Sequence, residues 1–160
     1  MQQKGFTLIE VIIVIVIISI VSSIALITLS HNQNRNIKSF ANQLLQLMTL
    51  AEHEAMLRPA TLGLGFTANS YQFYQYETSE KWVELKDTVL KKHNLPDNIE
   101  ITLKINDQII ESDGTPSIIF SENSDMTPFV ILLNQPGKSP SYQITGDANG
   151  TIKARPIVVP

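Results

Sequence analysis

Hydrophobic and polar positions divide the chain into three stretches with different periods. From Phe6 to Leu29 the residues FTLIEVIIVIVIISIVSSIALITL are apolar almost without interruption. As a helix rising ~1.5 Å per residue this run reaches ~36 Å, against a hydrocarbon core of ~30 Å, so it predicts a membrane-spanning helix. From Asn36 to Leu57 the apolar residues Ile37, Phe40, Ala41, Leu44, Leu45, Met48, Ala51 and Ala55 recur at helical spacing. They predict a single buried stripe on an amphipathic helix. Arg58-Pro59 ends that helix, because the residue before a proline is pushed out of the α region. No Gly or Pro lies between Phe6 and Leu57. The two helical stretches are therefore either one rod of ~50 residues, near 80 Å long, or two segments bent at the polar cluster His31-Asn32-Gln33-Asn34.

Beyond Pro59 the period changes to two. Ala60 to Phe66 and Tyr71 to Tyr76 read as strands joined by a turn near Ala68-Asn69-Ser70. Ile99, Ile101, Leu103 and Ile105 alternate with Glu100, Thr102 and Lys104, the pattern of a half-buried strand. Asn106-Asp107 turns it back into Gln108–Glu111. Ser117–Ser121 and Pro128–Leu133 are further strands. Tyr142–Thr145 and Thr151–Ala154 flank Gly146-Asp147-Ala148-Asn149-Gly150, whose Asn-Gly is a hairpin signal. Connections this short join antiparallel neighbours. The predicted fold class is α+β, with a long N-terminal helix packed on antiparallel sheet.

Composition narrows the function classes. The chain has 160 residues and a net charge of −3, which becomes −4 if a leader containing Lys4 is removed. A mildly acidic chain with scattered basic residues, the densest pair being Lys91-Lys92, disfavours nucleic acid as a partner. There is no Cys, so disulfides, thiolate nucleophiles and Cys-based zinc sites are excluded. His31, His53 and His93 have no metal-ligand spacing and read as residues of a solvated helix face. Neither a nucleophile elbow nor a Gly-rich phosphate loop occurs. Asp147, Asn149 and Gly150 share residue types with a calcium loop, but the spacing of its oxygen ligands is missing, and a plain hairpin turn is the reading. No enzymatic activity, cofactor, metal or small-molecule substrate is expected.

One residue stands out within the apolar run. Glu10 is the sole formal charge between Lys4 and Arg35. A carboxylate at membrane depth costs about 2.5–3.5 kcal/mol on insertion scales, so it calls for a partner or a task. If the chain is cut between Gly5 and Phe6, Phe6 carries a new amino group one helical turn from Glu10. That amine, on the same or a neighbouring chain, would neutralise the carboxylate and set an axial stagger between packed helices. The alternative is an acidic residue at the wet end of an ordinary anchor. Residues 1–5 are too short and polar for a secretory signal, and no A-x-A site follows the run, so the run is expected to be retained. Lys4 on one side and Arg35 with Lys38 on the other leave orientation undecided by charge.

The string KGFTLIEVIIVIVIIS, Lys4 to Ser19, resembles the class III leader of type IV pilins and type II secretion pseudopilins. The resemblance implies cleavage by a membrane-embedded prepilin peptidase after Gly5, N-methylation of Phe6, and a role for Glu10 in docking subunits into a filament. Further along, Trp82, Asp87, Leu90 and Leu95-Pro96 resemble the pattern of the H-type minor pseudopilin family. So do Ile118-Ile119-Phe120 followed by Thr127-Pro128-Phe129, and Tyr142-Gln143-Ile144 with Gly146-Asp147 and Gly150. The turn before Thr127 departs from that pattern: Glu122-Asn123-Ser124-Asp125-Met126 lacks the usual glycine, although Asn and Asp also tolerate positive φ.

The resemblance implies a type IV pilin-like fold. It divides the chain into a leader (1–5), a transmembrane and assembly helix (6–29), an amphipathic helix (30–58) and a periplasmic β-rich domain (59–160). It implies a single-pass inner-membrane protein, N-terminus cytoplasmic, assembled into a periplasmic pseudopilus. The expected partners are the major pseudopilin, the I, J and K minor types, the prepilin peptidase and the inner membrane. The alternative is a minor pilin of a type IV pilus, of the FimT or FimU kind. An anchored periplasmic enzyme or sensor would need a catalytic constellation.

Overall fold

The computed structural model describes residues 8–85 and 88–157, with side chains of 23–34 left out of the description. Helix α1 (Leu8–Leu57) takes in both helical stretches in one continuous element. The cluster His31-Asn32-Gln33-Asn34 therefore does not break the helix, in keeping with the absence of Gly and Pro through this stretch. At its end Arg58 N–H donates to the Glu54 carbonyl at 3.0 Å, and Ala60 N–H to Ala55 at 3.2 Å. Pro59 lacks an N–H, so the ladder stops where the sequence places the stop. By its contacts the chain forms two compact units, Met1–Asn36 and Ile37–Pro160.

In the first unit every described side chain from Leu8 to Ser22 is exposed. The large apolar ones range from 46% (Val14) to 79% (Leu8). Among the described residues no helix is long and apolar enough to cross a membrane. The apolar run Phe6–Leu29 begins before them and continues past Ser22, beyond which its side chains are not described.

Among the described residues the second unit carries ten strands in two antiparallel sheets. β1 (Leu62–Thr67) and β2 (Ser70–Tyr76) form the first hairpin, and β3 (Trp82–Glu84) and β4 (His93–Asn94) both pair with β2. β5 (Glu100–Ile105) and β6 (Gln108–Ile110) open the second sheet, while β7 (Asp113–Phe120) returns to the first and pairs with β1. β8 (Phe129–Asn134), β9 (Tyr142–Gly146) and β10 (Ile152–Pro156) complete the second sheet as a meander beside β5. Sheet A thus runs β3-β2-β1-β7 with β4 attached to β2, and sheet B runs β10-β9-β8-β5-β6. β3 and β4 are too short to show a period in the sequence.

One buried cluster joins the helix stripe to inward residues of both sheets. It includes Leu44, Met48, Phe73, Phe120, Ile131 and Ile144, all 0% exposed. The stripe differs from expectation at one position. Leu45 is only half-buried, whereas Leu47 is buried. At 3.6 residues per turn the two leucines lie about 80° to either side of the stripe's centre. Periodicity cannot choose between them, and the fold covers the Leu47 side.

Two turns have φ values that explain their sequences. Asn106 and Asp107 both take positive φ, 51° and 60°, the geometry of a two-residue hairpin turn. In the glycine-free turn Glu122–Met126 it is Ser124, rather than Asn or Asp, that takes positive φ, 62°. The turn is held by Ser121 N–H to Asp125 carbonyl at 2.9 Å and by Ser124 Oγ against Met56 Sδ at 3.0 Å.

Candidate functional site: an acidic residue in the first turn of an exposed apolar helix

Glu10 lies in the first turn of α1 as described and is exposed. Around it, Leu8, Ile9, Val11, Ile12 and Ile13 expose apolar surface on every side of the helix. Such a helix is stable only where lipid or other apolar helices cover it. Ser19, the next polar residue, returns its hydroxyl to the Ile15 carbonyl at 2.8 Å, which satisfies it within the helix. Glu10, which as a carboxylate can only accept hydrogen bonds, has no hydrogen bond or ion pair to another described residue. The expected cleavage and methylation residues, Gly5 and Phe6, lie outside the described residues, as does Asp87.

The other motif residues hold the second unit together. Trp82 opens β3, and Leu90 and Leu95 are buried at 3% and 8% exposure. Ile118 and Phe120 are fully buried on β7. Thr127 ties the crossing from sheet A to sheet B: its N–H donates to Ile119 at 3.1 Å, and its Oγ1 accepts from Ile119 N–H at 3.2 Å. The Phe129 ring packs against Gly146, where any Cβ would collide with it. Gly150, at φ 79°, closes the last hairpin beneath Glu52 of α1. These motif residues therefore occupy packing and turn positions.

The loop Asp147–Thr151 is a turn built on one carboxylate oxygen. Asp147 Oδ1 accepts from the N–H groups of Asn149 and Thr151 at 3.1 and 3.0 Å. Among the described residues no three His, Cys, Asp or Glu side chains gather as a metal site. His93 departs from the helix-face expectation. It lies in β4, stacks on Tyr71 with centroids 5.2 Å apart, and shares a 2.8 Å hydrogen bond with the Val89 carbonyl. Burial raises the Tyr71 phenol to about 12.

Two family models match parts of the chain. The prokaryotic N-terminal methylation motif matches residues 1–26, and type II transport protein GspH matches residues 41–150. The chain belongs to the GspH family. Among curated relatives, the type II secretion system protein H of Pseudomonas aeruginosa is 27% identical over 148 residues, covering 84% of each chain. That of Aeromonas hydrophila is 23% identical over 164 residues, covering 92% of this chain and 90% of its own. Two solved structures share the fold. The minor pseudopilin EpsH of Vibrio cholerae superposes with a TM-score of 0.66 at 18% identity, over 74% of this chain and 94% of its own. The solution structure of E. coli GspH gives 0.64 at 16% identity, over 77% and 89%. The GspH match takes in α1 from Ala41 onward and strands β1 to β9. The methylation motif includes Glu10 and most of the exposed apolar helix.

Three features of the second unit escaped sequence reasoning: the burial of Leu47, strands β3 and β4, and the alternation Leu62-Gly63-Leu64-Gly65-Phe66 in β1. In that strand the large residues face the core, and the glycines leave the opposite face bare. The repeat of glycine at every second position was the available signal.

Proposed function

We propose that the chain is a minor pseudopilin, a structural subunit of the type II secretion pseudopilus, which helps export folded proteins across the outer membrane. The observation that carries this reading is the pairing, on one chain, of the methylation motif over residues 1–26 with the GspH model over 41–150. Prepilin peptidase cuts after Gly5 and N-methylates Phe6. The helix then holds the subunit in the inner membrane, N-terminus in the cytoplasm and second unit in the periplasm. The subunit sits near the filament tip and joins it to the shaft of major pseudopilin, beside the I, J and K minor types.

The physical mechanism follows from the helix. An apolar surface exposed on all sides exchanges lipid for neighbouring helices at little cost, so packing alone gives weak positional preference. Glu10 supplies what packing lacks. Its charge is expensive in hydrocarbon and is relieved when it meets the amine of Phe6 on an adjacent subunit. Only one axial stagger brings the two together, so the pair fixes register between subunits.

Mass spectrometry of the mature N-terminus tests the processing. The expected species begins at methylated Phe6, and a retained Met1 or a cut beyond residue 20 ends the reading. Crosslinking in the native host, followed by identification of the bound subunits, tests the assignment to secretion. Pseudopilins are expected; subunits of a type IV pilus would transfer the chain to that machine.

A further inference from the structure

The outer face of sheet A holds a groove of ≈ 440 Å³ that the filament reading does not use. It exists because β1 is stripped of side chains on that face. The six-membered ring of Trp82 lies over Gly63, where a Cβ would come within 2.9 Å of Cζ3. The Gly114 carbonyl lies over Gly65 so closely that a Cβ there would collide with it. Register shifts in the β1–β7 pairing at Leu64/Gly65 and Gly65/Thr67 accompany this crossing of Gly114–Pro116 over β1. One wall is thus Tyr74, Trp82 and Glu84, and the other is the bulged start of β7 with Asp113.

Three observations point to a ligand. Gln72 lines the groove and is 7% exposed, and its side chain makes no hydrogen bond to another described residue. Its amide atoms reach the water of the groove, which a ligand entering there would replace. Second, among the described residues neither Glu84 nor Asp113 is in an ion pair, and Lys92, which also lines the groove, reaches neither. Asp113 Oδ1 accepts the Thr115 N–H at 2.8 Å, which orients the carboxylate and holds it below the usual carboxylate range. Third, the Tyr74 phenol is raised by burial and then by Glu84 and Asp113, so the groove lies in a negative potential. An indole face, two carboxylates and an amide oxygen are the groups that recognise a guanidinium: it stacks on the ring and donates in its plane.

We propose that this groove is a binding site for an arginine side chain presented by a partner protein, with Trp82 as the stacking surface, Glu84 and Asp113 as the charge partners and Gln72 as an orienting acceptor. The site lies on the second unit and does not depend on Glu10 or on the filament reading.

Trp82 is the single tryptophan of the chain, so its fluorescence reports on the groove directly. The full chain in nonionic detergent is titrated with a blocked Ala-Arg-Ala peptide. The expected result is a saturable change in emission that weakens with salt. Glu84→Gln and Asp113→Asn should each lower affinity about tenfold, the scale of one charge-assisted hydrogen bond. Both should leave thermal unfolding unchanged, because neither side chain is buried. Gln72→Ala should lower affinity severalfold. Blocked Ala-Lys-Ala should bind more weakly, since an ammonium cannot stack. The proposal fails if there is no saturable change, if blocked Ala-Gln-Ala binds equally, or if the Glu84→Gln, Asp113→Asn double variant binds as the wild type does. It also fails if a chitin-type oligosaccharide, and not the arginine peptide, gives the saturable response.

Discussion

Helix α1 contains two apolar surfaces of opposite kinds. Between Leu8 and Val21 nearly every side chain is apolar and all are exposed. Between Ile37 and Ala55 the fully buried apolar residues lie on one stripe, and Ile37, Ala41, Leu44, Met48, Ala51 and Ala55 are at most 1% exposed. Backbone geometry is the same in both, so helical propensity does not separate them. What separates them is who supplies the cover. The stripe is covered by residues of its own chain, and each of its contacts contributes to folding. The N-terminal surface needs a cover of lipid or neighbouring helices, and its energetics belong to insertion and assembly. A given apolar substitution should therefore have different consequences in the two parts.

The sharpest test is truncation at matched chemistry. Leu44→Ala should destabilise the second unit by about 2–5 kcal/mol, the range for a fully buried leucine. Ile15→Ala should leave its unfolding unchanged. Chemical denaturation followed by far-UV circular dichroism of the detergent-solubilised chain reads both. Equal effects would break the distinction. The same reasoning expects a fragment beginning at Asn32 to be soluble, monomeric and folded, because the buried cluster starts at Ile37. Aggregation that residues 6–29 cure would show that the stripe is not covered from within.

Glu10 tests the other part. Glu10→Leu should leave the amount of membrane-inserted protein at least as high as wild type, since a desolvation cost of about 2.5–3.5 kcal/mol disappears. Crosslinking to filament neighbours, normalised to inserted protein, should fall about tenfold or more, because the neighbour's amine loses its partner. Glu10→Asp should fall between. Unchanged crosslinking would make Glu10 an interfacial bystander.

A finer comparison lies within the stripe. Leu47→Ala should cost about 2 kcal/mol and Leu45→Ala about half that, since the first is buried and the second half-buried. Denaturant midpoints of the two variants distinguish them. A reversed order would place the stripe's centre on the wrong side.

The smallest effect concerns Tyr71, whose ring meets Phe40 of the stripe edge-on at 6.1 Å. Its folded pKa of about 12 lies above the ordinary value of 10.0. The folded state thus holds a proton that the unfolded chain gives up near pH 10. The associated stability is complete below pH 10 and is lost as pH rises toward 12. Ultraviolet titration of the phenols should show a late step, and Phe40→Ala should move it back toward 10 by admitting water. A step at the ordinary position in the wild type would show that the stripe does not seal the ring.

Legibility differed between the two regions for physical reasons. A long apolar run with one carboxylate near its start needs no tertiary information, because the surrounding solvent sets its composition residue by residue. Glu10 was visible on those grounds alone. The stripe was visible because a helix repeats every 3.6 residues, and β5 because a half-covered strand repeats every two. The Asn106-Asp107 turn was visible because few residues tolerate positive φ.

Other features were decided only in three dimensions. Leu45 and Leu47 are equivalent by angle, and the position of the sheets chose between them. Ser124 carries the positive φ in a turn with Asn and Asp available on either side, and its hydroxyl reaches Met56 on the helix. The division of ten strands between two sheets depends on β7 returning to β1 across β5 and β6, a pairing between residues about 50 positions apart. The groove on sheet A joins Gln72, Trp82 and Asp113 from three strands, and of these only Trp82 stood out in the sequence. Local composition records the solvent a segment meets and the turns it makes. Which equivalent face is covered, and which distant side chains share a surface, is set by long-range pairing that no local period encodes.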